Sequence, residues 1–70
     1  MKRIKVVEDD EALREEIYIL LERNGFIPVK AEPYDLVLLD VNLPGESGFS
    51  ICRKIREKSK VPVIFLTARN

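Results

Sequence analysis

The chain has 70 residues, 46% hydrophobic and 34% charged, with twelve basic residues cancelling twelve acidic ones. That length allows one small domain with a modest core, and the even charge gives no electrostatic reason to expect nucleic acid or an anionic membrane as a direct partner. The longest apolar run is five residues, far short of the ~20 that a membrane span requires, so no membrane role is expected, and the lone Cys52 fits a reducing, cytoplasmic setting.

The elements alternate along the chain. Residues 4–7 (IKVV) are a short β-branched strand. Residues 9–26 (DDEALREEIYILLERNGF) read as a helix. In it Leu13, Ile17, Leu20 and Leu21 recur at spacings of three and four, and Glu15, Glu16, Glu22 and Arg23 take the other face. Asp9 or Asp10 supplies its N-cap and Asn24-Gly25 its stop. Residues 27–31 predict a second strand, which Pro28 confines to an edge or to its first positions. Residues 35–39 predict a third. Ser47 or Gly48 opens a second helix with Phe49, Ile51, Cys52 and Ile55 as its apolar stripe; Lys54, Arg56, Lys58 and Lys60 lie late in it, where cations suit the helix dipole. Residues 61–66 predict the last strand. Continuous apolar strands, rather than alternating ones, indicate burial on both faces of a parallel sheet, and strand, helix, strand, helix, strand is an α/β order.

The strand ends carry the chemistry. The first ends Val7-Glu8-Asp9, the third Leu39-Asp40 and the last Leu66-Thr67-Ala68. In open α/β sheets ligands bind beyond the carboxyl ends of the strands, so Glu8, Asp9, Asp40 and Thr67 are directed to one edge. Clustered carboxylates repel unless a cation joins them, and oxygen ligands without histidine suit a hard ion, Mg²⁺ or Mn²⁺. Glu8 and Asp9 also suit a helix N-terminus as plain acids. Cys52 reads as a core residue, and the basic residues from Arg53 to Lys60 as a solvated helix face.

"VVEDD", "DLVLLDVNLPGESG" and "VPVIFLTA", in that order at the ends of those strands, resemble the receiver domain of bacterial two-component response regulators, CheY-like in fold. "LPGESGFSICRKIR" and "LTAR" resemble the OmpR/PhoB transcription-factor branch. The resemblance implies a flavodoxin-like parallel sheet. It implies that Asp40 accepts a phosphoryl group from a histidine kinase. It further implies that Glu8, Asp9, Asp40 and the backbone carbonyl of Asn42 hold Mg²⁺, with Asp9 the more direct ligand and Glu8 acting through water. Thr67 would be the switch hydroxyl, Ala68 would leave room beside it, and Pro44 and Gly48 would shape the loop after the acceptor. Such a domain is phosphorylated on itself and is not a turnover enzyme; it reaches DNA only through an output domain. A haloacid-dehalogenase-type phosphatase also uses an aspartate after a strand, but wants a second one two residues on, where Asn42 stands.

The 70 residues read as one partial receiver domain, residues 1–70. The family's segments after its fourth strand, among them a phosphate-pairing lysine and an aromatic switch residue, fall outside them. Inside the chain, only "EPY" separates Ala31 from Asp35, where the family has its second helix. A parallel crossover normally takes a dozen or more residues. Three outcomes follow: the 70 residues skip a segment of the full chain, or the second strand runs antiparallel or does not form, or residues 27–40 form one arm whose neighbours lie in another protomer. The first and third are favoured. Uncovered apolar faces then predict a homodimer, and the alternative function is a non-signalling module that associates to complete its sheet.

Overall fold

The computed structural model describes residues 1–66; the expected switch hydroxyl Thr67 and its neighbour Ala68 lie outside the described residues. The elements are β1 (Arg3–Val7), α1 (Glu11–Arg23), β2 (Ile27–Val29), β3 (Leu36–Asp40), β4 (Asn42–Leu43), β5 (Glu46–Ser47), α2 (Gly48–Lys58) and β6 (Val63–Leu66). One sheet has the order β2-β1-β3-β6 with every neighbour parallel, and β4 and β5 form a separate antiparallel pair. The expected α/β parallel sheet is present.

The core lies where β3 runs between β1 and β6. Val37 and Leu39 are fully buried and form one cluster with Val61. Ile51, Cys52 and Ile55 of α2 pack on that cluster with Val7, Tyr34, Leu43 and Val63. Each fully buried aliphatic side chain contributes about 1.5–3 kcal/mol, so this patch dominates the stability of so small a sheet. Phe49, placed on the same stripe by the sequence, is instead exposed and packs its ring on Phe65 of β6, centroids 4.9 Å apart. The register Lys5↔Val37 and Val7↔Leu39 gives the opposite face of β1 to Ile4 and Val6, both buried.

Helix α1 is defined by its ends. The Asp10 side chain accepts the Leu13 N–H at 3.1 Å, so Asp10 is the N-cap and Asp9 is left free. At the other end Phe26 N–H donates to the Leu21 carbonyl (2.9 Å) and Gly25 N–H to the Glu22 carbonyl (3.2 Å), a Schellman closure that requires Gly25 at φ +84°. The helix packs against β2, yet none of its residues is buried.

The structure corrects the expectation about the second strand. β2 forms, pairs parallel with β1 and sits at the sheet edge, where Pro28 is tolerated. The next strand, β3, lies on the far side of β1, so residues 30–35 cross over without a helix. Two features make the short crossover feasible. β2 has only three residues, and the register sets Val29 beside Lys5 and Leu36 beside Ile4. The chain must therefore return only ~3.3 Å along the strands and ~9.6 Å across two spacings, while the six residues 30–35 can span ~20 Å. Neither a skipped segment nor an arm into another protomer is needed to connect Ala31 to Asp35. Tyr34 of this crossover packs into the core, and the Lys5 ammonium stands 5.5 Å from the centre of its ring.

Candidate functional site

The sheet order places β1 between β2 and β3, so the connection from β1 to β2 and the one from β2 to β3 run in opposite directions across the sheet. A crevice forms at the carboxyl ends of the strands on either side of such a reversal. The register Val7↔Leu39, carried one residue further, sets Glu8 beside Asp40. Asp9 follows at once, freed by Asp10's role as cap. The result is three carboxylates, Glu8, Asp9 and Asp40, with ligand oxygens all within 4.8 Å of one another. Glu8 and Asp40 are each only 7% exposed, and Asp9 is open to solvent.

Each buried acid is held by a backbone donor two residues on. Asp10 N–H donates to Glu8 Oε2 at 3.0 Å, and Asn42 N–H donates to Asp40 Oδ1 at 2.9 Å. Burial is the main cause that pushes the Glu8 carboxyl above its usual range; the Asp10 N–H works against it, and the Asp40 and Asp9 carboxylates add to it. A carboxyl raised by burial and by neighbouring like charge is one that a bound dication would restore to the ionised form. The donor set is all oxygen, two of the three groups are buried, and their mutual repulsion is unrelieved by any lysine or arginine ion pair among the described residues. These groups fit a hard divalent ion.

Helix α2 is pressed against the end of β3. Gly48 N–H donates to the Val41 carbonyl at 2.9 Å. A Cβ at Gly48 would overlap the Asp40 carbonyl oxygen and lie 2.9 Å from Val41 Cα. Only glycine fits there. The approach is set up by a hairpin that the sequence reading did not resolve: β4 and β5 pair Leu43 with Glu46 across Pro44-Gly45, with Gly45 at φ +78°. Ser47 then caps α2 by accepting the Ser50 N–H at 3.2 Å. On the other side Val41 N–H donates to the Leu66 carbonyl at 3.1 Å, tying the end of β6 to the same loop.

Of the residues singled out from sequence, Glu8, Asp9 and Asp40 come together. Asn42 is exposed in β4 and its N–H is engaged with Asp40. Thr67 lies outside the described residues. Sequence reasoning missed Arg14, whose Nη1 donates to the Glu8 carbonyl oxygen at 2.7 Å; its position one helical turn beyond the Asp10 cap was the available signal.

The comparisons with known proteins agree with this geometry. The profile of the response regulator receiver domain matches residues 26–70. The phosphate regulon transcriptional regulatory protein PhoB of Escherichia coli is 42% identical over 83 positions, covering 97% of this chain and 36% of PhoB. The chain spans about a third of the length of the curated relatives it matches. With 83 aligned positions against 70 residues, PhoB carries at least 13 that this chain lacks, which accords with a crossover that has no helix. Response regulator TrrA of Thermotoga maritima, solved with Mg²⁺ and BeF, superposes with a TM-score of 0.89 at 36% identity, covering 100% of this chain and 72% of that one. TrrA solved with the histidine kinase ThkA gives 0.86 at the same identity and coverage. A four-stranded parallel sheet, an acidic cluster at its order reversal and a profile match over residues 26–70 have one common explanation: the chain belongs to the response regulator receiver domain family.

Proposed function

We propose that residues 1–70 are a partial receiver domain of a two-component response regulator and that Asp40 is its phospho-acceptor. The observation that carries this reading is the meeting of Glu8, Asp9 and Asp40 within 4.8 Å at the sheet's order reversal. Asp40 is buried at the end of a rigid central strand and one of its oxygens is already engaged by Asn42 N–H. The other oxygen attacks phosphorus. The P–N bond of a phosphohistidine breaks, its electron pair returns to the imidazole nitrogen, and an acyl phosphate forms on Asp40. Glu8, Asp9, Asp40 and the Asn42 carbonyl would hold Mg²⁺, which when bound offsets charge on the phosphoryl oxygens. Thr67 would bond the phosphoryl group once transferred. The domain is a stoichiometric acceptor and not a turnover enzyme.

The partner class is a histidine kinase, supported by the ThkA complex of the neighbour TrrA. Control of transcription in the full-length protein is supported by PhoB and would pass to DNA through an output domain outside these residues. Among the described residues no helix is long and apolar enough to cross a membrane, and a cytoplasmic setting fits the partner and the free Cys52. A second reading, an interaction module that associates to cover its faces, is favoured by α1, which buries none of its residues.

The test is incubation with phosphoramidate and Mg²⁺ followed by intact mass measurement. The wild-type chain should gain one phosphoryl group and Asp40→Asn none. Equal modification of both would overturn the assignment of Asp40.

A further inference from the structure

Arg14 is a cation bonded to the backbone of the acidic cluster that the receiver reading leaves without a role. It sits in the first turns of α1, partly buried, and its Nη1 reaches back to the carbonyl oxygen of Glu8 at 2.7 Å. The same residue is held at its side chain, where Asp10 N–H donates to Glu8 Oε2 at 3.0 Å. Glu8 is therefore gripped at both ends from α1, once through the helix cap and once through Arg14. Asp9 lies between these grips, exposed, and no hydrogen bond fixes its carboxylate among the described residues. Its direction depends on the peptide that Arg14 holds. Along with Glu8 and Asp9, Arg14 lines an open cleft that Lys30 also borders, so the exposed Asp9 is not held there by packing.

We infer that Arg14 is a positioning residue for the divalent ion: its bond to the Glu8 carbonyl fixes the turn at residues 8–10, so that Glu8 and Asp9 converge with Asp40. This rests on the receiver reading of the site. Groups that orient metal ligands without touching the ion typically alter affinity 10–100-fold when removed.

The sign of the effect separates this role from simple charge. A guanidinium beside three carboxylates repels a dication, so deleting it for electrostatic reasons alone would tighten metal binding. A positioning role predicts the reverse. Mn²⁺ binding, followed by water-proton relaxation, should weaken about tenfold in Arg14→Met, recover to within about threefold of wild type in Arg14→Lys, and rise slightly or stay level in Arg23→Met, which removes the same charge at the far end of α1. Phosphorylation of Arg14→Met at saturating metal should approach the wild-type rate, because the lost quantity is affinity. Equal or tighter binding by Arg14→Met overturns the inference. Absence of metal binding in the wild type overturns the receiver reading instead. Should Arg14→Met fail to fold, nitrogen-detected spectra of the wild type decide: restricted rotation of the Arg14 guanidinium, with and without metal, supports the clamp, and free rotation overturns it.

Discussion

The two helices are of similar length, 13 and 11 residues, and are held in opposite ways. Helix α2 lays Ile51, Cys52 and Ile55 on the buried Val37, Leu39 and Val61. Helix α1 has no buried residue, and Leu13, Ile19 and Leu20 are 39%, 48% and 58% exposed. Its order comes from polar bonds at its ends: the Asp10 cap, the closure at Gly25 and the Arg14 bond to Glu8. The candidate site draws on both. Asp40 comes from the packed half, and Glu8 with Asp9 from the turn into the hydrogen-bonded half. Packing fixes Asp40, and capping chemistry fixes the turn that carries Glu8 and Asp9.

The sharpest test of that contrast is a pair of truncations. Leu39→Ala opens a hole in the only fully buried cluster among the described residues and should cost about 2–5 kcal/mol, enough to unfold much of a domain this small. Leu20→Ala, on exposed α1, should stay within about 0.5 kcal/mol. Urea denaturation monitored by far-UV circular dichroism reads both. Comparable losses would mean that α1 is covered in solution by something, a second copy being the first to examine by light scattering.

Two glycines extend the comparison to the backbone. Gly48→Ala forces a methyl group onto the Asp40 carbonyl, where the opposing atoms are backbone and cannot step aside. The expected loss is about 1–3 kcal/mol, accompanied by slower phosphorylation because Asp40 itself must shift. Gly25→Ala meets nothing within 4 Å; only its positive φ resists, at about 1 kcal/mol, and phosphorylation should be untouched. If both variants lose activity equally, the Gly48 approach has no special bearing on the acceptor.

Much of this was legible in the sequence, for physical reasons. Continuous apolar strands gave the parallel sheet, and the helix starts were readable to within one residue, Asp9 or Asp10 and Ser47 or Gly48, because short polar side chains compete for backbone donors; the structure chooses Asp10 and Ser47. The carboxylates at 8, 9 and 40 were legible as a group because strand ends in an open α/β sheet share an edge. The crossover was misjudged: the rule that parallel strands need long connections assumes strands of ordinary length, and β2 has three residues. The β4–β5 hairpin was missed because two-residue strands carry no periodicity. The stripe of α1 was expected to lie uncovered, and Leu13 and Leu20 are exposed; periodicity reports an apolar face and not what covers it.

Smaller in stability but specific to the site is the pH dependence of Glu8. Its carboxyl is raised in the folded chain, chiefly by burial and then by Asp40 and Asp9, so the folded state holds this proton more tightly than the unfolded state does. Stability from this group is thus fully present below the ordinary value of 4.5 and is lost as pH rises through the elevated folded value. Other carboxylates contribute slopes of their own, so the quantity to measure is the difference from Glu8→Gln. Without metal, the Glu8→Gln chain should gain on wild type as pH is raised across that window. With saturating Mg²⁺ the order should reverse, because wild type then uses its ionised carboxylate as a ligand. A difference that stays flat with pH would show that Glu8 is not shifted.

The least effect is expected at the most conspicuous ion pair. Lys54 Nζ lies 2.7 Å from Glu46 Oε2, and the same oxygen accepts the Ser50 hydroxyl at 3.1 Å. The lysine, and then the serine, hold the Glu46 carboxyl below its ordinary range. Both side chains are well solvated, and a pair in water gains little over its separated, hydrated ions. Lys54→Met should therefore leave the urea midpoint unchanged within error. Its trace should appear only in the titration of Glu46, which nuclear magnetic resonance would find moved up toward the ordinary carboxylate value. The pair bridges β5 and α2 at the hairpin that leads into Gly48, so the variant also asks what aims the helix at Asp40. Unchanged phosphorylation would assign that task to the backbone, namely the Pro44-Gly45 turn, the Ser47 cap and the Gly48 contact. Slower phosphorylation with an unchanged midpoint would show that a solvated ion pair contributes to the geometry of the acceptor loop, and the division between packed and hydrogen-bonded halves would need redrawing at the start of α2.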